Sequence, residues 1–228
     1  MQTIGLIKQK GGAGATTIAV HLALAARDAG RRPLIVDIDP QGSATAWAAM
    51  RAAALGEGTE PPVVAIDAGQ IPAVLDAAAA DGYDLAVIDT PPHNSAAMAA
   101  VARASDFCLL PTKAGPFDLA ALRQAVEIVA ATKRPASIIL NMIPATGSEG
   151  EDAREAVGAL GLPVWVGQLG DRRAFRRTVS DGRTVIDPLD AKERAAARTA
   201  AVEIRALWEH VAAALDHTPN RARAGATR

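Results

Sequence analysis

Eight consecutive residues, Lys10-Gly11-Gly12-Ala13-Gly14-Ala15-Thr16-Thr17, have the composition of a phosphate cradle. Gly11, Gly12 and Gly14 carry no Cβ, so the backbone can take left-handed angles and aim successive N–H groups at phosphate oxygens. Such a loop works at the positive end of a helix, where unpaired N–H groups already favour an anion. Thr16 could then reach a magnesium ion, and Thr17 a phosphate oxygen. The stretch departs from the common phosphate-loop pattern, G-x-x-x-x-G-K-[ST], at two places: Gln9 stands where glycine is asked for and Ala15 where lysine is. The alternative, and the lesser reading, is a Gly/Ala-rich strand-to-helix turn that binds nothing.

Two further groups fall at the ends of apolar runs. In Asp37-Ile38-Asp39-Pro40-Gln41-Gly42, two carboxylates close a run of β-branched and aliphatic residues. Carboxylates placed there are costly unless they serve a cation or a water molecule. In Leu85-Ala86-Val87-Ile88-Asp89-Thr90-Pro91-Pro92, four apolar residues lead into one aspartate and a prolyl turn. Open α/β sheets gather their chemistry at the C-terminal ends of their strands. A lone strand-end aspartate can also simply cap a helix.

The elements that must position these groups alternate along the chain. Apolar runs at 3–7, 33–38, 63–66, 84–89, 107–110 and 137–141 read as strands, with 164–166 closing the sheet. Helical periodicity covers 16–29, 43–50 with Ser43 as its cap, 71–80, 95–104, 117–132 and 152–160. This alternation predicts an α/β fold, a mainly parallel twisted sheet with helices on both faces. The last third departs from it, with a short basic helix at 171–179 and a long helix at 191–215. Val202, Leu207, Trp208, Val211 and Leu215 form the apolar stripe of the long one. Residues 51–62 are expected to be the longest loop. We expect one domain over 1–216 and a disordered basic tail over 217–228.

Composition sets the frame. The chain has 228 residues, 50% of them hydrophobic and 21% charged, enough for a sizeable core. Formal net charge is -1, but residues 1–170 carry 12 Lys+Arg against 17 Asp+Glu, and residues 171–228 carry 12 against 8. The single cysteine, Cys108, excludes an intramolecular disulfide and a multi-cysteine metal cluster within one chain. No leader sequence and no long apolar span is evident, so the expected location is cytoplasmic.

The three motifs, in this order and on these strand ends, resemble the ParA/MinD family of P-loop ATPases. Its deviant Walker A loop reads K-G-G-x-G-K-T-T, with the early lysine at the place of Lys10. The resemblance extends over about residues 1–215. It implies that Lys10, Gly11, Gly12, Ala13, Gly14, Ala15, Thr16 and Thr17 bind ATP, that Thr16 and Asp89 serve Mg2+, and that Asp39 positions the attacking water. It also implies that Lys10 crosses a dimer interface to the partner's phosphates; the alternative is a solvated surface lysine. Asn141, in Leu140-Asn141-Met142, is where the family reads adenine, unless it is a turn asparagine. Leu110-Pro111-Thr112, followed by Asp118, resembles the segment flanking the nucleotide.

Within the family the small ParA type fits best. No helix-turn-helix precedes the first strand, the tail lacks the amphipathic membrane helix of MinD, and the cysteines of iron–sulfur relatives are missing. The resemblance thus implies an ATP-dependent homodimer that binds DNA without sequence preference, associates with the nucleoid and not with membrane, and positions DNA or other cargo. A ParB-like or cargo-adaptor protein would stimulate hydrolysis. Ala15 leaves the loop without the lysine that holds the β and γ phosphates, so hydrolysis should be impaired, whether that lysine was replaced or the variant is natural. The alternative reading is a non-catalytic, nucleotide-dependent DNA-binding or scaffold module.

For DNA, the expected contacts are Arg172, Arg173, Arg176 and Arg177, two pairs at i, i+4 spacing, with Arg183 just beyond. Lys192, Arg194 and Arg198 open the long helix, and the tail adds Arg221, Arg223 and Arg228. Each arginine could instead be part of a solvated helix face.

Overall fold

Short apolar runs closed by turns, each joined to the next by a helix, can only pair in parallel with the helices covering both sheet faces. The computed structural model describes residues 1–217 and has this architecture. Its strands are β1 (Gln2–Leu6), β2 (Pro33–Asp37), β3 (Val63–Ala65), β4 (Leu85–Asp89), β5 (Phe107–Thr112) and β6 (Ala136–Leu140). They form one sheet in the order β3-β2-β4-β1-β5-β6, with every pair parallel. The helices are α1 (Ala15–Asp28), α2 (Ser43–Leu55), α3 (Ile71–Ala80), α4 (Ser95–Ala104), α5 (Pro116–Thr132), α6 (Glu149–Gly158), α7 (Arg173–Ser180) and α8 (Ala191–Asp216).

Two apolar cores result, one on each face. Ile4, Leu6, Ile35, Val87 and Leu109 face α1 and α8, where Ile18, Leu22, Ile204, Leu207 and Trp208 pack. Ile7, Val36, Ile88, Cys108 and Leu110 face α4 and α5, against Met98, Val101, Leu122 and Val129. β1 lies between β4 and β5, and the pairing aligns Leu6 with Asp89 and Asp89 with Asp37. The C-terminal ends of β1, β2 and β4 therefore finish at one level.

Several sequence expectations need correction. The run 164–166 is not a strand; it touches the sheet through a single bridge from Val164 to Ile138. Pro163 and Gly167 bound it, and the Arg154 guanidinium takes the Trp165 and Gly167 carbonyls that a ladder would need. Val202 is 60% exposed, off the apolar stripe, whose other members Leu207, Trp208, Val211 and Leu215 are buried together with Ile204. Ser43 is the first residue of α2 and not its cap; the carboxylate of Asp37 accepts the Thr45 N–H at 3.0 Å and does the capping from the sheet. α7 starts at Arg173, with Arg172 extended before it. The expected tail, apart from His217 at the end of α8, lies outside the described residues.

The expected loop at 51–62 is shorter, because alanines carry α2 on to Leu55 before Gly56 ends it. Its first residue, Arg51, is buried. The guanidinium donates to both carboxylate oxygens of Asp187, at 2.9 and 2.7 Å, and to the carbonyls of Gly182 and Glu60. Burial would push the Asp187 carboxyl up, but this two-point contact, together with the Thr184 N–H and hydroxyl, outweighs it and holds the group below the usual range. The pair ties α2 to the segment between α7 and α8.

His21 of α1 is enclosed in the same region, with its ring edge-on to Phe175 at 5.1 Å between centroids. Nδ1 lies 2.7 Å from the Thr17 carbonyl, and Nε2 meets no partner. Burial lowers its pKa from 6.5 to about 4, against the opposing pull of Thr17 and Asp187. The unfolded chain thus takes up a proton near pH 6.5 that the folded chain refuses until about pH 4, so stability is lost as pH falls through that window. At about 1.4 kcal/mol per pH unit, the loss reaches roughly 3 kcal/mol. Urea unfolding between pH 7 and 4 should record this slope, and His21→Leu should remove that share of it; an unchanged slope would contradict a neutral, buried His21.

Candidate phosphate-binding site

The turn from β1 into α1 has the backbone that a phosphate cradle requires. Gly12 and Gly14 have φ of 77° and 82°, and Gly14 is the residue before the first turn of α1. Asn141, just past β6, donates from Nδ2 to the Ala13 carbonyl at 2.7 Å, while its Oδ1 accepts the Met142 N–H. One amide hydrogen and one lone pair of Asn141 remain for other partners. These two bonds brace the loop from the end of β6.

The loop opens onto a cleft of about 420 Å³ lined by Gly11, Gly12, Gly14, Ala15, Thr16, Thr17, Asp39, Gln41 and Lys8. Thr16 donates its hydroxyl to one oxygen of Asp89, so the two candidate magnesium residues sit together. Burial pushes the Asp89 carboxyl up, opposed by Lys8 and Thr16. These hard oxygen donors suit magnesium, which keeps most of its water and needs few protein ligands. Among the described residues no group of three or more His, Cys, Asp or Glu forms a fuller metal cage. Asp39 also reaches this cleft, 8% exposed, with one oxygen accepting the Gln41 N–H at 3.0 Å. Its neighbour Asp37 is spent on Thr45 of α2 and on the Asp39 N–H of the intervening turn.

Lys8 is the residue that motif reasoning missed. Its ammonium is 3.2 Å from Asp39 and 3.2 Å from Asp89, with the side chain 7% exposed. The signal was in the sequence: a lysine two positions past the first apolar strand, when two other strands end in aspartates. Lys10, by contrast, is 43% exposed and bound to Asp118 of α5 at 3.1 Å, outside the cleft. Ala15 is 1% exposed and presents only a methyl group.

The basic residues gather where α7 meets the start of α8, but several are already paired. Arg172 grips Glu203 through Nε and Nη2, Arg176 binds Asp171, and Arg177 binds Glu193 at 3.3 Å. Arg176 and Arg177 remain 60% and 69% exposed, so these are weak surface pairs that an external anion could replace. Arg173, Lys192, Arg194 and Arg198 are exposed. Arg221, Arg223 and Arg228 lie outside the described residues.

The two kinds of glycine separate fold from ligand. A Cβ on Gly14 would strike the Asn141 amide and sit at positive φ, so Gly14→Ala should cost about 2 kcal/mol or more in urea unfolding. A Cβ on Gly11 would meet nothing within 4 Å. Gly11→Ala should therefore change stability by less than about 0.5 kcal/mol, yet weaken binding of a fluorescent ATP analogue, because the methyl fills space a phosphate needs. Equal ATP affinity in that variant would remove Gly11 from the cradle.

Comparison with known proteins bears on this geometry. Residues 4–185 match the family described as the CobQ/CobB/MinD/ParA nucleotide binding domain. Maintenance of carboxysome distribution protein A of Gloeobacter kilaueensis is 35% identical over 191 residues, covering 81% of this chain and 84% of that protein. Chromosome-partitioning ATPase Soj of Thermus thermophilus is 31% identical over 170 residues, covering 63% of this chain and 68% of that protein. The fold is also that of an ATP complex of a Cyanothece McdA variant, with a TM-score of 0.67 at 18% identity, covering 95% of this chain and 96% of that one. A parallel P-loop sheet, the deviant loop at the end of β1 and these relatives agree: the chain belongs to the ParA/MinD family of nucleotide-binding ATPases, and to its small ParA type.

Proposed function

We propose that this chain is an ATP-dependent dimeric switch that binds DNA without sequence preference and positions DNA or another cargo, with a ParB-like or cargo-adaptor protein stimulating hydrolysis. The observation that carries this reading is the convergence of the glycine loop, Thr16, Asp39 and Asp89 on one cleft at the ends of β1, β2 and β4. The N–H groups of the loop and of the first turn of α1 receive the phosphates, and Thr17 adds a hydroxyl. Thr16 and Asp89 would hold magnesium, which when bound offsets charge on the β and γ phosphates. Asp39, buried beside the cleft, accepts a proton-bearing water and orients it. Asn141 reaches adenine with the donor and acceptor it has left. Lys10 would serve the phosphates of a facing protomer, a role supported by its being held by Asp118 outside its own cleft.

With a methyl at position 15, the loop lacks an ammonium on the transferring phosphoryl, and hydrolysis is slow. One charge-assisted hydrogen bond there contributes about 1.5 to 3 kcal/mol. Ala15→Lys should raise magnesium-dependent phosphate release by about 10- to 150-fold in the presence of DNA and partner. Asp39→Ala in that background should suppress release while ATP-dependent dimerisation persists by sedimentation. ATP-dependent dimers and DNA binding with no turnover in any of these variants would instead favour the non-catalytic scaffold reading, which the buried Ala15 methyl supports.

The DNA face in this reading is α7 with the start of α8: Arg173, Arg176, Arg177, Lys192, Arg194 and Arg198, while Arg172, just before α7, is held by Glu203. Phosphate contacts carry no sequence information and release counterions. Arg176→Ala combined with Arg177→Ala should weaken ATP-dependent binding to all duplexes alike and flatten the plot of log K against log salt by about 0.9 per lost contact. An unchanged affinity and slope in a dimeric sample would move the DNA site elsewhere.

A further inference from the structure

We infer that Lys8, from the end of β1, supplies the phosphate-binding ammonium that position 15 does not. The inference rests on the nucleotide reading above and names a residue for which neither the motif nor the family comparison gives a role. Among the described residues lining the cleft, Lys8 is the one that carries a cation. The other ammonium groups near the loop are turned away or lie at its rim. Lys10 is held by Asp118, and Lys113 Nζ lies 3.8 Å from where a Cβ on Gly12 would stand.

The placement follows from sheet register. Leu6, Asp37 and Asp89 share one level across three adjacent strands, and Lys8 and Asp39 each lie two residues further on. The Lys8 ammonium thereby bridges Asp39 and Asp89 from the floor of the cleft. Asp89 in turn accepts the Thr16 hydroxyl, so a single carboxylate separates the ammonium from the first turn of α1, where Ala15 stands. A lysine at position 15 would enter the cleft from the loop; Lys8 enters it from the sheet.

Charge balance favours movement onto a ligand. Two buried carboxylates with no cation beside them would be costly, and Lys8 answers that need. A triphosphate brings further negative charge into the same volume. The flexible lysine stem lets the ammonium leave one carboxylate for a phosphate oxygen without ever being buried unpaired. Its contacts with the β and γ phosphates would strengthen ATP and ADP binding and leave AMP untouched.

Lys8→Met tests this with a side chain of similar length and no charge. Titration with fluorescent ATP, ADP and AMP analogues, with magnesium, should show affinity for ATP and ADP falling at least tenfold and that for AMP unchanged. Ala15→Lys in the Lys8→Met background should restore ATP affinity, and Lys8→Met should lower ATP-dependent dimerisation in parallel. To guard against misfolding, Asp39→Asn is compared with Lys8→Met/Asp39→Asn, which removes one buried carboxylate along with the ammonium. If Lys8 were only a counter-ion, the double variant would bind ATP as tightly as Asp39→Asn alone, and that result overturns the inference. Equal ATP affinity of Lys8→Met and the unsubstituted chain overturns it too, while leaving the nucleotide reading intact. No ATP or ADP binding by the unsubstituted chain would overturn both.

Discussion

The site depends on the way two acidic strand ends are neutralised. β2 and β4 are neighbours, and their pairing fixes Asp37 level with Asp89 and brings Asp39 to the same mouth of the sheet. Burying carboxylates this deeply costs several kcal/mol each unless every oxygen finds a donor or a cation. Each is answered locally. Asp37 receives Thr45 and the Asp39 N–H, Asp39 receives Gln41 and Lys8, and Asp89 receives Thr16 and Lys8. The start of α2, the first turn of α1 and the end of β1 are thereby held to one point, and the glycine loop is suspended between them.

The same economy separates the working face from its support. On the face covered by α1 and α8, the region beneath the cleft is stiffened by Arg51 and Asp187, which link α2 to the segment following α7. A guanidinium with two carboxylate contacts and two carbonyl contacts has little freedom left, and it lies over the ring of Trp47, which lines the cleft. Asn141 performs the equivalent service from β6, anchoring the loop through the Ala13 carbonyl. This bond holds a loop in which Gly12 and Gly14 stand at positive φ.

Charge on the outer surface follows a looser rule. Arg172 is committed to Glu203 by a two-point contact near the edge of the sheet, whereas Arg176 and Arg177 lean on Asp171 and Glu193 in solvent. Pairs of the second kind are worth little and exchange readily for other anions. The surplus of positive charge in the last part of the chain is therefore divided between structural and available groups, a division that charge counting does not reveal.

Much of this protein was legible in its sequence because the signals were local. Alternating apolar runs and helical periods gave the strands and helices, the glycine spacing gave the loop, and strand-end aspartates gave the acidic part of the cleft. The family resemblance rested on those same residues. Errors arose where a distant partner decides. Val164–Val166 had the composition of a strand, but Arg154 took the carbonyls it needed. Arg51 looked like the start of a loop, and only Asp187, far along the chain, makes it part of the core. Lys8 carried no motif, and its meaning depends on three strands ending at one level. Periodicity and turn chemistry act within a few residues, so sequence determines them; the pairing of buried charges depends on which strand ends become neighbours, and only the tertiary structure decides that.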